Sequence, residues 1–265
     1  MSTAPVIGDS PKIAQWTVRF RWLSAITFAF IPVILTAAGS AVSQINGTDA
    51  ATSALTIAAG AGLGAAIGLV IMWKSPPSIR EYGFRVPIGV RSVWWFLPLP
   101  VTVLIVIATQ GIHVPPSVIA AYGVLAIAVA LNEEIWFRGI VLTVLQSKGA
   151  RGAIIGSSIL FGVLHLANVF GGESTGAAVL QLVFAVLFGF VTAELVVLTG
   201  SLWPAIAWHA AWDFTNYISG NSTTGIAMIG VGIVCAVILT YAVVLWRRGT
   251  ARGWALQSET EAQLS

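Results

Sequence analysis

Charge is what this chain has least of. Only 9% of its 265 residues are Asp, Glu, Lys or Arg, where an ordinary soluble domain carries roughly 25%. So few charges cannot cover a water-facing surface, and 57% of the residues are hydrophobic, with a mean hydropathy of +0.90. The chain therefore reads as a bilayer protein. Cysteine is nearly absent: Cys235 stands alone in an apolar run, which excludes an intramolecular disulfide and a Cys-based metal site.

What is there is a series of long apolar stretches. A membrane helix needs about 20 mostly apolar residues, and eight candidate spans meet or approach that: Trp22–Val42, Ser53–Trp73, Val93–Ile112, Val118–Leu145, Gly152–Phe170, Ala177–Thr199, Leu202–Ile218 and Gly225–Trp246. Turn-rich separators divide them, such as NGTDA, HVPPS, GGESTG and SGNSTTG. The first span is longer than the roughly 7–15-residue core of a secretory signal, so it is read as uncleaved. The seventh opens on Leu202-Trp203-Pro204, a proline at the tolerated first turn. The segment Lys74–Arg91 is amphipathic and is expected at the membrane surface.

The cations sort by side. Lys12, Arg19 and Arg21 precede span one, and Lys74, Arg80, Arg85 and Arg91 follow span two. Lys148 and Arg151 separate spans four and five, and Arg247, Arg248 and Arg252 follow span eight. With eight crossings all of these fall on one face, and the positive-inside rule puts both termini in the cytoplasm. A net charge of +3 could suggest nucleic acid, but a nucleic-acid surface needs no such segregation, so no nucleic-acid partner is expected.

The remaining cation, Arg138, lies inside span four with Glu133 and Glu134; Glu194, Asp213, His165 and His209 are also intramembrane, while His113 falls in an outer loop. Charged groups at such depth cost several kcal/mol and usually pair, line wet cavities or carry function. Glu134 and Arg138 are four apart, so a salt bridge on one helix face is expected. Glu133 is rotated by about 100° from Glu134 and has Phe137 at i+4, so it needs a partner on another helix, or water. Left without one, such a carboxyl suits general acid–base work. His209 and Asp213, also four apart, share a face and can reach one substrate, water or metal. Glu133, His165 and His209 all fall well inside their spans, which suggests one hydrated cavity. Glu194 is assigned a structural role.

At these residues the chain resembles the CAAX prenyl protease and bacteriocin-processing (CPBP, or Abi) family of intramembrane proteases. Glu133-Glu134-Ile135-Trp136-Phe137-Arg138 matches its EExxxR motif, Phe161 to His165 its FxxxH motif, and His209 to Asp213 its His-x-x-x-Asn/Asp motif. The stretch TGSLWPAIAWHA is similar to the family's lead-in to the third motif. The resemblance implies peptide hydrolysis without a covalent intermediate. Glu133, assisted by His165, would activate water; His209 and Asp213 would stabilise the oxyanion; Glu134, Arg138 and Phe161 would support the site. Asp213 replaces the commoner Asn, and an ionised carboxylate cannot donate to an oxyanion. It is protonated, or orients His209, or binds metal. Glu133, His165, His209 and Asp213 are accordingly also candidate ligands for a divalent metal such as zinc, although HExxH and HxxEH are absent.

The expectation is an all-α polytopic helix bundle of about eight transmembrane helices. Residues 1–21 form a cytoplasmic segment, 22–246 a membrane-embedded protease-like domain, and 247–265 a flexible cytoplasmic tail. The expected partners are the bilayer and a membrane protein or lipidated peptide as substrate; the Ala/Gly/Val richness suits a GC-rich bacterium, and the expected location is the cell membrane, a bacterial inner membrane. The alternatives are a proton-coupled transporter and a non-catalytic immunity or scaffold member of the same fold.

Overall fold

The computed structural model describes residues 19–75, 77–87, 93–146, 149–171, 175–220 and 225–251. The expected N-terminal segment up to residue 18, the tail from 252, and Lys12, Arg91, Lys148 and Arg252 lie outside these. Among the described residues there is no β-strand.

The helices are α1 (Arg21–Asn46), α2 (Ala50–Lys74), α3 (Pro98–Gln110), α4 (Pro116–Gln146), α5 (Ala150–Leu164), α6 (Thr175–Thr199), α7 (Trp203–Ser219) and α8 (Gly225–Ala251). Six apolar helices are long enough to cross a membrane: α1, α2, α4, α5 extended to Val169, α6 from Ala178, and α8. The chain is a multi-pass membrane protein. The other two expected spans are shorter, α3 with 13 residues and α7 with 17. A 3-10 turn at Val93–Phe96 precedes α3, and Gly111, with φ 76°, ends it.

Local chemistry sets these boundaries. Gly47 in the left-handed region closes α1, and Asp49 caps α2 by accepting from the Ala51 and Thr52 amides at 2.9 and 3.0 Å. The Thr52 amide, then the Thr52 hydroxyl, hold the Asp49 carboxyl below its ordinary value. Lipid is as apolar as the helix faces, so helices associate by close packing and polar contacts rather than by the hydrophobic effect. Small residues on α2, Ala54, Ala58, Ala61, Gly64, Ala65 and Gly68, are buried and bring it close against α4. A Cβ on Gly64 would overlap the Asn132 carboxamide, and one on Gly68 would strike Ile135.

Contacts at the helix ends fix direction. At one end Arg248 lies 4.0 Å over the Trp95 ring, and Arg151 bonds Thr250 at 3.2 Å. At the same end the turn after α2 clasps the start of α7. Leu202 N donates to Gly83 O at 2.8 Å, Arg85 Nε to Gly200 O at 2.8 Å, and Ser201 Oγ to Arg85 O at 2.6 Å. The described part of Lys74–Arg91 is thus bonded to the end of the bundle. At the opposite end, His113 N donates to Ile218 O and Ser219 Oγ to Gly111 O. Helices α3 and α7 therefore both run from the basic end to the other end, side by side.

Candidate active site

Three helices carry the motifs. Helix α4 is regular as far as Glu134, then becomes a π-helix over Ile135–Val141, all of it buried, before resuming at Leu142. Such stretches are rare and frequent at functional sites. The glutamates thus sit where the helix changes its winding. Asn132 on one side donates to Pro32 O at 3.2 Å and Thr36 Oγ1 at 3.1 Å, and Trp136 on the other donates from Nε1 to Gly64 O at 2.9 Å. Each bond of this kind contributes about 0.6 kcal/mol, up to about 1.7, inside a membrane. Together they lock this segment of α4 against α1 and α2.

The two glutamates part as helix geometry requires. Glu134, fully buried, meets Arg138 Nε with Oε2 at 3.4 Å and His209 Nδ1 with Oε1 at 2.7 Å. Arg138 Nε also donates to Thr192 Oγ1 at 2.8 Å, and the guanidinium lies 4.0 Å over the Phe161 ring. Glu133 turns the other way, and its Oε2 stands 3.7 Å from His209 Nε2. That is an ion-pair distance, too long for a hydrogen bond. Asp213 Oδ2 lies 3.5 Å from the same nitrogen. Side-chain exposure separates the two sets: 18% for Glu133 and 19% for Asp213, against 0% for Glu134 and Arg138.

His165 ends the α-helical part of α5, where the chain tightens into a 3-10 segment, His165–Gly171. Its Nδ1 lies 2.8 Å from Phe161 O. A carbonyl only accepts, so Nδ1 carries the proton and neutral His165 keeps its lone pair on Nε2. His165 is partly exposed. Phe161 is the common neighbour, 4.6 Å from the His165 ring and 6.1 Å from the His209 ring between centroids.

All seven sequence-predicted site residues therefore gather around His209 and Phe161. Glu194 does not join them. It is fully buried in α6, and neither carboxylate oxygen has a hydrogen-bond partner among the described residues. His113 is an exposed residue of the loop between α3 and α4. No group of three or more His, Cys, Asp or Glu among the described residues is disposed to hold a metal ion. Sequence reasoning missed Thr192 and Phe188, which touch Arg138 and His209. Their only mark is one hydroxyl in an apolar run.

Residues 115–215 match the family model described as Rce1-like, type II CAAX prenyl endopeptidase. The matched segment carries all three motifs, and the resemblance read from them holds for it. No curated protein and no solved structure gives a significant match.

Proposed function

We propose, from the premise that residues 115–215 carry the CAAX prenyl endopeptidase pattern, that this chain is an intramembrane endopeptidase. It hydrolyses a peptide bond in a membrane-associated or lipidated substrate. The observation that carries the reading is the split about His209: Glu133 and Asp213 are open to an incoming group, while Glu134 and Arg138 are sealed behind the ring.

The chemistry follows from which atoms are left uncommitted. Glu133 Oε2 is buried and has no hydrogen bond among the described residues, while the side chain as a whole is 18% exposed, so water reaching its exposed part can give up a proton to Glu133 as general base. His165 offers its Nε2 lone pair to the same water. Attack on the scissile carbonyl develops an oxyanion, which needs donors already in place. As imidazolium, His209 donates from both nitrogens: Glu134 takes Nδ1–H, and Nε2–H is left for the oxyanion. Asp213 acts as a neutral carboxylic acid standing where the family commonly has Asn. The proton held by Glu133 passes to the leaving amine. Water is activated without metal in this scheme, so chelator treatment of purified protein leaves cleavage unchanged. A loss that zinc restores would contradict that part of it.

The bundle crosses the membrane eight times, with α3 and α7 as short spans and both termini in the cytoplasm. If α3 and α7 did not cross, Arg151 would leave the face it shares with Arg248. The contacts that gather Arg85, Arg151 and Arg248 at one end support the eight-crossing reading. Residues 22–246 then form the membrane domain, flanked by cytoplasmic segments 1–21 and 247–265.

Purified Glu133→Ala, His165→Ala and His209→Ala proteins test the reading against wild type on membrane peptides. Each substitution is expected to abolish cleavage while the protein stays folded in detergent. Normal cleavage by Glu133→Ala would sink the proposal.

A further inference from the structure

Helix α6 supplies none of the three motifs, yet one turn of it touches all three, through Arg138, Phe161 and His209. Phe188 is buried and stacks on Trp208, with centroids 4.1 Å apart and planes at 20°. The same ring meets the His209 imidazole edge-on, at 5.0 Å and 66°. Four residues on, Thr192 Oγ1 accepts from Arg138 Nε at 2.8 Å. Its own proton goes to the Phe188 or Gly189 carbonyl, each 3.1 Å away. Gly189 lies between, and a Cβ there would stand 3.1 Å from Arg138 Nη2 and 3.2 Å from Phe161 Cδ1. The missing side chain lets the guanidinium and the Phe161 ring approach the α6 backbone.

We infer that Phe188, Gly189 and Thr192 are a positioning cradle for His209 and Arg138, a fourth sequence element written F-G-x-x-T. A hydroxyl has one proton. With that proton directed to its own helix, Thr192 presents a lone pair to Arg138 and fixes the guanidinium plane. Arg138 then holds Glu134, and Glu134 holds His209 Nδ1 at 2.7 Å. Phe188 contacts the same imidazole directly, so two independent contacts from one helical turn converge on a single ring. Partners that orient a metal-bound histidine typically cost about 10–100-fold in activity when removed, and a loss of the same order is expected here.

The inference rests on the proposed peptidase reading only for its kinetic arm. Thr192→Val keeps the shape and removes the hydroxyl, Thr192→Ser keeps the hydroxyl, and Phe188→Leu keeps apolar bulk without the ring. Kinetics on a cleaved peptide should show kcat about 10–100-fold lower for Thr192→Val at unchanged KM, with Thr192→Ser recovering most of the loss. NMR of labelled histidine in folded, detergent-solubilised protein should show the His209 ring signals moving in Thr192→Val and Phe188→Leu, while the His113 signals stay. Wild-type kcat and unmoved His209 signals in Thr192→Val would overturn the inference, as would a Thr192→Ser protein as impaired as Thr192→Val. If the wild type cleaves nothing, the peptidase reading fails, and the His209 signals still decide whether the cradle exists.

Discussion

Glu133 and Glu134 are neighbours in sequence with opposite surroundings. Glu134 answers two partners, Arg138 and His209, from a fully buried position; Glu133 answers none at hydrogen-bond distance through Oε2. Removing one member of a buried, paired network leaves the others uncompensated, which typically costs about 3–5 kcal/mol. Glu134→Ala should therefore unfold at markedly lower temperature in detergent, whereas Glu133→Ala should lose activity with a much smaller stability change. Equal destabilisation by both would contradict the division of labour. Helix arithmetic alone separates the two carboxylates and gives Arg138 to Glu134. It cannot give Glu134 its second partner, because that contact joins residues 75 apart in the chain. The Thr192 and Phe188 contacts were hidden for the same reason: a threonine and a phenylalanine in an apolar span carry no pattern that names their neighbours.

Among the elements, the motif segment of α4 depends on how closely α2 approaches it. Asn132 is pinned by two hydrogen bonds and cannot swing aside from a side chain at position 64. Gly64→Ala is expected to destabilise by about 1–3 kcal/mol, as overpacking does, and to lower activity by shifting the α4 glutamates; an unchanged unfolding midpoint would contradict this. At the α1–α2 turn the effect depends on pH. Hydrogen bonds hold the Asp49 carboxyl below its ordinary value of 3.8, so its stabilisation is present above that value and is lost as pH falls through the lowered folded one. Asp49→Ala should lower the unfolding midpoint at neutral pH and converge with wild type in strong acid. A gap that persists there would argue against the cap. The hydropathy pattern locates all eight helices of the described residues, but the π-helical turn is not legible in it. IWFRGIV suits an α-helix equally well, and the segment packs among α1, α2 and α5.

For the whole molecule, the basic residues and the fold agree on direction. Contacts gather Arg85, Arg151 and Arg248 at one end, while Gly111 meets Ser219 at the other. Of the two short helices, α7 matches its expected span to one residue at each end, whereas α3 begins five residues later than expected, after a 3-10 turn at Val93–Phe96. Topology can be read with single cysteines in a Cys235→Ser background. A membrane-impermeant maleimide should label Thr48→Cys from outside intact cells and Glu81→Cys only after permeabilisation; the reverse pattern would contradict cytoplasmic termini. The central claim, that the open Glu133 beside His209 drives peptide hydrolysis, is tested most directly by comparing membrane peptides from cells carrying wild-type or Glu133→Ala protein. The account predicts new peptide termini in the wild-type cells that are missing with Glu133→Ala, and identical termini in the two would contradict it.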